Sequence, residues 1–301
     1  MLLVVCPNLA IDRILEVDHF QAAKVQRSRS VIVQPGGKGS NAARVFRQLG
    51  GEVVLVGFVG STNSRLICEP LRRFGIHVDV VAAYPGDSRT CTIVCDKQSQ
   101  VHPTVINEES SRIEDGAAAR LLNKVHRWIP DVDGVLTTGS LSTGLPDDFY
   151  AEILDYARMR KKFTAMDAAG AVLRAGLSAY PSLIKPNMEE FFQLTRGPMT
   201  SGLLTFAPHT ALTFGKTGAV LINAGKFLYA APPRVFDTNP VGAGDAFVAA
   251  YLWQLLRGRN ARECLRFAMA AAASDSATLR PGFLDISQFH SLIPQVELHY
   301  L

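Results

Sequence analysis

Short apolar runs typical of strands alternate with helical stretches through most of this 301-residue sequence. The apolar runs are almost continuous, as in strands that are buried on both faces of a sheet. The predicted strands are Leu2–Cys6, Val53–Val59, Gly134–Thr138, Phe163–Met166, Ser182–Ile184 and Ala211–Phe214. The predicted helices are Ser40–Leu49, Leu66–Phe74, Ala117–Trp128, Phe149–Lys162, Ala246–Leu256 and Arg262–Thr278. This alternation predicts an α/β fold with a mostly parallel sheet covered on both faces, and ligands beyond the carboxyl ends of its strands.

Two stretches, residues 14–33 and 89–106, contain strand-like runs with no helix between them. In the second, Thr90–Asp96 alternates loosely, Lys97–Gln100 favours a turn, and an apolar run follows, which predicts a hairpin. We expect both stretches to form a small β-sheet that covers the ligand site as a lid, because a lid excludes water from a reacting group.

Charge and cysteine content limit the partners of the chain. The net charge is only +4 with Lys and Arg dispersed, so no basic block suited to DNA or RNA is present. No apolar run approaches the roughly 20 residues of a membrane helix, so no membrane partner is expected. The five cysteines include no C-x-x-C pair, which favours buried free thiols over a metal site. Reduced thiols are typical of a cytoplasmic protein.

The turn-rich stretch Asp237–Asp245 ends in Gly242-Ala243-Gly244-Asp245, directly before a strongly apolar helix. Small residues let backbone N–H groups approach an anion, and a helix start adds unpaired donors and partial positive charge. Such a hole suits a transferring phosphoryl group, with Asp245 placed to accept a proton from an attacking hydroxyl. The helix N-terminus is expected to lower the pKa of Asp245, which phosphoryl transfer tolerates because positioning outweighs basicity. The alternative is a loop that merely turns the chain and caps a helix.

A second glycine-rich element, Pro35–Asn41, also opens a helix. It has neither the G-x-x-x-x-G-K-[ST] spacing of a P-loop nor the G-x-G-x-x-G dinucleotide fingerprint. No strand is predicted to end immediately before it within a βαβ unit. A nicotinamide-dependent dehydrogenase is therefore disfavoured.

In this order, the two glycine-rich elements resemble the two signatures of the PfkB sugar-kinase family, and the resemblance covers nearly the whole chain. Further segments are similar to the family's pattern: Asn8–Asp12, Ser88–Thr90, Gly139–Leu141, Lys185–Glu190 and Leu212–Ala219. The resemblance implies a ribokinase-like three-layer α/β/α sandwich with a mostly parallel central sheet and a small β-sheet lid. It also implies a single kinase domain over residues 1–301, with lid strands at about 12–34 and 88–107.

The resemblance also implies roles for individual residues. Asp245 would be the catalytic base, with Gly242, Ala243 and Gly244 forming the anion hole. Acceptor-binding residues would be Asp12, Gly37, Asn41 and Ser140. Nucleotide-binding residues would be Asn187, Thr213, Gly215, Gly218, Gly244 and Ser274. Glu190 would hold Mg²⁺ through bound water, since Mg²⁺ prefers to keep several waters. The implied cofactors are ATP and Mg²⁺, and a homodimer through the lid is expected.

Three basic residues, Arg27, Lys38 and Arg89, bear on the identity of the sugar. An existing sugar phosphate needs cationic partners, and Arg offers a planar fork that matches phosphate oxygens. The branch most resembled is 1-phosphofructokinase and tagatose-6-phosphate kinase, with fructose 1-phosphate, tagatose 6-phosphate or fructose 6-phosphate as acceptor. One alternative is a kinase of an unphosphorylated sugar or nucleoside. Another is an inactive sugar-phosphate-binding regulator, which the intact base and glycines disfavour.

Two segments depart from the family's pattern. Gly60–Ser64 lacks two glycines that are common there, so we expect this segment to be stiffer or to contact the substrate differently. Between Leu194 and Ala211 the chain is short and contains Gly197-Pro198 and Pro208, so we expect a truncated helix.

Overall fold

The computed structural model describes residues 1–96, 98, 103–194 and 207–301. The strands are β1 (Leu2–Cys6), β2 (Ala10–Val17), β3 (Ser30–Gly36), β4 (Val53–Gly60), β5 (His77–Val78), β6 (Val81–Tyr84), β7 (Thr90–Asp96), β8 (Thr104–Asn107), β9 (Gly134–Thr138), β10 (Phe163–Asp167), β11 (Leu183–Ile184), β12 (His209–Thr213), β13 (Ala219–Asn223), β14 (Lys226–Ala231) and β15 (Glu297–Tyr300). The helices are α1 (Lys38–Gln48), α2 (Ser64–Arg73), α3 (Ala117–Trp128), α4 (Phe149–Met159), α5 (Gly170–Gly176), α6 (Met188–Leu194), α7 (Ala243–Leu255), α8 (Ala261–Ser276) and α9 (Ile286–Leu292).

Within the described residues, the central sheet has the strand order β15-β14-β13-β12-β11-β10-β9-β1-β4-β5, with β6 also paired to β4. Neighbouring strands from β5 to β12 are parallel, which confirms the predicted mostly parallel sheet. Every residue of β1, β4 and β9 is buried, as expected for strands covered on both faces.

Two hydrophobic cores lie on opposite faces of this sheet. Successive side chains of a strand point to opposite faces, so Leu2 and Val4 join one core while Leu3 and Val5 join the other. The first core packs against α1, α2, α7, α8 and α9, and the second against α3, α4 and α5. These cores confirm the predicted three-layer α/β/α sandwich.

The antiparallel edge of the sheet, from β12 to β15, was not predicted. The turn between β13 and β14 holds Ala224 and Gly225 at positive φ, whereas Asn-Gly is the sequence that announces such a turn most strongly. Helices were the only elements predicted after residue 245, whereas the structure adds strand β15, which pairs with β14. β15 is a short edge strand with three of its four residues exposed, so its apolar pattern is weak.

The second sheet has the order β3-β2-β7-β8 and confirms the predicted small β-sheet. The predicted hairpin is the antiparallel pair β7–β8. Residues 97, 99 and 100 of its predicted turn and residues 101–102 of the run predicted to follow it lie outside the described residues. The small sheet packs through Ile14, Ile93 and Cys95 against Val241 and Leu279, which lie outside that sheet. Strand β3 ends at Gly36, inside the glycine-rich element Pro35–Asn41. Because β3 is antiparallel to β2, it is not part of a βαβ unit, as expected.

Three smaller points complete the comparison with the sequence. All five cysteines are free and buried, as predicted. Most of the segment expected to hold a truncated helix, residues 195–206, lies outside the described residues. No helix in the described part of the chain is both long and apolar enough to cross a membrane.

Candidate active site

A cavity of about 1550 Å³ opens at the carboxyl ends of the parallel strands and reaches the small sheet. It is larger than the roughly 300–1,000 Å³ of a pocket for one small ligand, which leaves room for two ligands. Most of the residues selected from the sequence line it: Asp12, Gly37, Lys38, Asn41, Arg89, Ser140, Asn187, Glu190, Thr213, Gly215, Gly218, Gly242, Ala243, Gly244 and Asp245. Arg27 and Ser274 do not.

Asp245 lies in the first turn of α7 and is buried at the cavity wall. Asn41 Nδ2 donates a hydrogen bond of 2.8 Å to its Oδ2 atom. Burial raises the pKa of Asp245 to about 7, although the charge of Lys38 acts to lower it. The expectation of a lowered pKa was wrong, because desolvation of the buried carboxylate outweighs the helix N-terminus.

The loop before α7 requires glycine at position 242. Gly242 has φ 97°, and a Cβ there would lie 2.8 Å from Asp275 Oδ2 and 2.9 Å from Pro281 Cβ. The Ala243 amide donates to Pro240 O at 3.2 Å, the long end of the normal range. The loop is therefore held tightly from behind while Gly242, Ala243 and Gly244 face the cavity.

Asn239 holds this loop and was not selected from the sequence. Its fully buried side chain donates from Nδ2 to Leu279 O at 3.0 Å and accepts at Oδ1 from the Val241 amide at 3.1 Å. The loop is thus tied to the segment after α8. A lone Asn in a turn-rich stretch gave no sign of this long-range contact.

Arg44 is a second residue that the sequence did not reveal. It is fully buried in α1, and its NH2 group donates to Asn41 Oδ1 at 2.6 Å and to Pro281 O at 2.9 Å. Its NH1 group donates to Pro35 O at 2.7 Å. Because Arg44 occupies the amide oxygen of Asn41, the amide nitrogen is the atom that faces Asp245. An arginine within a helix usually lies on the surface, so only its place three residues after Asn41 was a signal.

Asp12, on β2 of the small sheet, faces the same cavity. Burial raises its pKa to about 6, although Arg44 and Arg89 act to lower it. Its carboxylate lies over Gly36, where a Cβ would be 2.0 Å from Asp12 Oδ1, so only glycine fits at that position. Two charged side chains, Asp12 and Arg89, thus reach the cavity from the small sheet and the residues beside it.

Arg89 is half-buried at the start of β7. Its NH2 group donates to Asn8 O at 3.3 Å, whereas its buried Nε has no partner among the described residues. Asn8 in turn donates from Nδ2 to Ser140 Oγ at 2.9 Å. This part of the cavity therefore offers a hydroxyl, an amide and a guanidinium group. The guanidinium of Arg89 has a donor without a partner among the described residues.

The segment without the usual glycines anchors Arg89. Asn63 Oδ1 accepts from the Ser88 amide at 2.7 Å, and Asn63 Nδ2 donates to Ser88 O at 3.3 Å. The Gly60 amide donates to Ser88 Oγ at 2.8 Å. These bonds fix the backbone beside Arg89.

Lys38 and Lys185 flank the fully buried Asp167 at the base of the cavity. Lys38 Nζ lies 3.1 Å, and Lys185 Nζ 3.3 Å, from Asp167 Oδ1. Asp167 was not singled out from the sequence, where it directly follows the predicted strand Phe163–Met166. Its position after a parallel strand was the available signal, since ligands gather at that edge.

Asn187 and Glu190 form a capping box at the start of α6. The Asn187 amide donates to Glu190 Oε2, and the Glu190 amide donates to Asn187 Oδ1, both at 2.8 Å. Both residues also line the cavity, so the remaining capacity of the Glu190 carboxylate faces a ligand. No group of three or more His, Cys, Asp or Glu gathers as a metal site in the described part of the chain. One carboxylate suits Mg²⁺, which is commonly held by one or two carboxylates, substrate phosphates and water.

The other end of the cavity is lined by Thr213 and the turn Gly215–Gly218. Lys216 Nζ pairs with Asp237 Oδ2 at 3.0 Å across this end. Ser274 was expected here but is fully buried on the far side of α8, where its hydroxyl donates to Asp285 O at 3.3 Å. Its helix neighbours Ala272, Ala273 and Ser276 line the cavity instead, because the helical period turns Ser274 away.

Arg27 also lies away from the expected place. It is exposed in the connection between β2 and β3 and does not line the cavity of its own chain. The sequence placed Arg27 in the strand-like stretch 14–33 but showed neither that a connection separates two strands there nor the direction in which its residues point.

Comparisons with known proteins agree with this architecture. The family model described as pfkB family carbohydrate kinase matches residues 1–275. A Thermotoga maritima protein described as a possible 1-phosphofructokinase is 19% identical, with a TM-score of 0.88 and 100% of both chains covered. Phosphofructokinase-2 from Escherichia coli, solved with substrates and products, is 19% identical, with a TM-score of 0.86 and 98% of both chains covered. Its tetrameric inhibited form has a TM-score of 0.83 at 19% identity and 98% coverage of both chains. The two enzymes share the ribokinase-like fold of this chain.

Proposed function

The chain belongs to the pfkB family of carbohydrate kinases, and we propose that it transfers the γ-phosphate of ATP to a hydroxyl of a ketohexose phosphate. The observation that supports this proposal is the meeting of a buried carboxylate, a glycine loop and a cationic corner in one cavity. The carboxylate is that of Asp245, the glycine loop contains Gly242, and the cation is Arg89.

Asp245 accepts the proton of the attacking hydroxyl in the proposed reaction. A pKa of about 7 leaves a substantial ionised fraction at neutral pH and gives a stronger base than an ordinary aspartate. Asn41 orients the carboxylate by donating to Oδ2. The Gly242 and Gly244 amides stabilise the charge of the transferring phosphoryl group, whereas the Ala243 amide already donates to Pro240 O.

The nucleotide occupies the end of the cavity lined by Thr213, Gly215 and Gly218 in this proposal. Glu190 and Asn187 would hold the Mg²⁺ that accompanies ATP, with Glu190 supplying the carboxylate. Bound Mg²⁺ would neutralise phosphate charge. Asp12, Gly37 and Ser140 hold the acceptor, whose hydroxyls are donors to the Asp12 carboxylate.

Arg89 supports a phosphorylated acceptor, because its buried Nε has no partner among the described residues and a guanidinium fork matches phosphate oxygens. 1-Phosphofructokinase and tagatose-6-phosphate kinase are the activities that fit this proposal. A kinase of an unphosphorylated sugar is the second candidate. Two observations favour that candidate: Lys38 is engaged with Asp167, and Arg27 lies outside the cavity.

ADP release from Mg·ATP, measured with a panel of acceptors, tests the proposal. The panel contains fructose 1-phosphate, fructose 6-phosphate, tagatose 6-phosphate, fructose, ribose and adenosine. We expect turnover with a ketohexose phosphate, and in Asp245→Asn a fall of about 10²–10⁴-fold with nucleotide affinity retained. Turnover only with a neutral acceptor would select the second candidate. Absence of turnover with every acceptor would contradict the kinase proposal and favour a sugar-phosphate-binding regulator.

A further inference from the structure

Gln34 is a buried polar residue of the small sheet that takes no part in the proposed reaction. It lies on β3, is only 3% exposed and does not line the cavity. Its cross-strand partner on β2 is Asp12, which does line the cavity. Directly opposite residues of an antiparallel pair share one face of the sheet, so the Gln34 amide lies beside the Asp12 carboxylate on that face.

The Gln34 side chain binds the segment that follows α8. Its Nε2 atom donates to Pro281 O at 3.1 Å, and its Oε1 atom accepts from Arg280 Nε at 3.1 Å. A carbonyl can only accept and a guanidinium can only donate, so the two partners fix both ends of the amide. Among the described residues, no strand of the small sheet pairs with the central sheet. Side-chain contacts such as these therefore help to set the position of the small sheet.

The segment bound by Gln34, residues 279–282, lies directly behind the glycine loop that precedes α7. A Cβ at Gly242 would lie 2.9 Å from Pro281 Cβ and 3.0 Å from Pro281 Cα, so no side chain fits between the two backbones. Asn239 of the same loop donates to Leu279 O at 3.0 Å. Because loop and segment are packed this closely, a displacement of one requires a displacement of the other.

The carbonyl of Pro281 also connects Gln34 to the proposed base. It accepts from Arg44 NH2 at 2.9 Å as well as from Gln34. The same NH2 group of Arg44 donates to Asn41 Oδ1, and Asn41 Nδ2 donates to Asp245 Oδ2. All of these side chains are buried, so water does not compete for the bonds. One carbonyl thus joins the small sheet, α1 and the start of α7.

We propose that Gln34 is a positioning residue that couples the two substrates: an acceptor bound against Asp12 holds the small sheet, and Gln34 connects that sheet through Pro281 to the glycine loop at Gly242. This inference rests on the proposed kinase function and concerns binding alone. A ligand shifts a protein between two arrangements only through the difference in its affinity for them. The acceptor and the nucleotide phosphates both favour the arrangement in which the small sheet is held against Pro281. Each ligand therefore strengthens the binding of the other by the same factor.

Titration calorimetry measures this coupling factor. The Kd of Mg·AMP-PNP is determined without acceptor and with a saturating amount of the acceptor-panel member that gives the highest kcat/KM. We expect the parent to bind AMP-PNP at least about fivefold more tightly when the acceptor is present. Gln34→Leu should reduce this factor to less than about twofold while each ligand alone still binds, because Gln34 itself does not line the cavity.

Gln48→Leu is the matched control, because Gln48 binds the same part of the chain from outside the small sheet. Gln48 lies on α1, donates from Nε2 to Gly282 O at 3.0 Å and accepts at Oε1 from the Leu284 amide at 3.1 Å. The control therefore removes two comparable hydrogen bonds without detaching the small sheet. It should lower the melting temperature about as much as Gln34→Leu but keep the parent's coupling factor.

Two further variants separate the two bonds of Gln34 and guard against misfolding of Gln34→Leu. Gln34→Glu still accepts from Arg280 but has no N–H to donate to Pro281, so it should fold and lose the coupling. Arg280→Met removes the other bond and leaves the one to Pro281, so it should keep most of the coupling.

The outcomes decide between this role and a purely structural one. Coupling that disappears in the Gln34 variants and persists in Gln48→Leu would support the role. Coupling that persists in a folded Gln34 variant, that falls equally in Gln48→Leu, or that is absent from the parent would overturn it. A parent that binds no nucleotide and turns over no acceptor of the panel would instead overturn the proposed function, and the inference with it.

Discussion

At Asp245, two physical effects act in opposite directions. A carboxylate in the first turn of a helix is stabilised by unpaired amides and the helix dipole, which lowers its pKa. Removal from water destabilises the same charge, and in this buried position burial prevails and raises the pKa to about 7. The sequence revealed the helix start but not the depth of burial, which depends on residues more than 100 positions away. Asp245 is therefore better suited to accept a proton at neutral pH than its local sequence suggests.

The raised pKa predicts a specific pH profile. Asp245 must be ionised to act as a base, so kcat/KM for the acceptor should fall about tenfold per pH unit below about 7 and level off above it. The slope should steepen below about 6, where Asp12 is protonated as well. Initial rates between pH 5 and 9 at saturating Mg·ATP measure this profile. Nucleotide affinity at each pH is the control, and a flat profile down to pH 5 would contradict the role of Asp245.

At the scale of elements, α6 joins a structural task to a chemical one. Asn187 and Glu190 satisfy each other's amides and so begin the helix, while both line the cavity. A capping box needs only an acceptor at its fourth position, and Glu and Gln both supply one. Binding of Mg²⁺ needs the negative charge. The two tasks of Glu190 can therefore be separated by mutation.

Glu190→Gln should preserve the start of α6 but weaken the use of metal. We expect the apparent affinity for Mg²⁺ to fall about tenfold or more, with little change in melting temperature. Glu190→Ala removes the acceptor as well and should cost about 1 kcal/mol of unfolding free energy in addition. Mg²⁺ titrations of activity and thermal melts of both variants provide the test. Equal Mg²⁺ dependence in Glu190→Gln and the parent would remove Glu190 from the metal site.

The sequence predicted those strands, helices and loops that their own residues mark by an apolar run or a glycine-rich segment. Parallel strands such as Leu2–Cys6 are continuous apolar runs, and most site residues lie in short segments with unusual glycines. Arg44, Asn239 and Asp167 were missed because each acts through a contact distant in sequence. Ser274 was misplaced for a related reason: local sequence fixed its helix but not which face of that helix meets the cavity.

At the scale of the whole molecule, the small sheet has two edge strands among the described residues, β3 and β8. Val33 on β3 is 51% exposed and Ile106 on β8 is 61% exposed. Exposed apolar edge strands favour association, since their unpaired backbone groups can pair with another chain. We propose that two copies of this chain associate through the small sheet.

Sedimentation velocity at micromolar concentration tests this association. We expect the parent to sediment as a dimer and Val33→Lys to shift toward monomer, because a buried lysine opposes edge pairing. Met159→Lys is the matched control, since Met159 is 69% exposed but lies on α4 of the body. A parent that remains monomeric, or a Val33→Lys variant that remains dimeric, would contradict an interface at β3.

The continuity of β3 with the first glycine loop has a consequence for the timing of events. β3 ends at Gly36 and α1 begins at Lys38, so no linker separates the small sheet from the loop proposed to contact the acceptor. An acceptor that contacts both Asp12 on this sheet and Asn41 on α1 would hold the small sheet and α1 together. Where ATP is abundant and sugar is scarce, bound ATP would then stay unreacted until a sugar bound and closed the site.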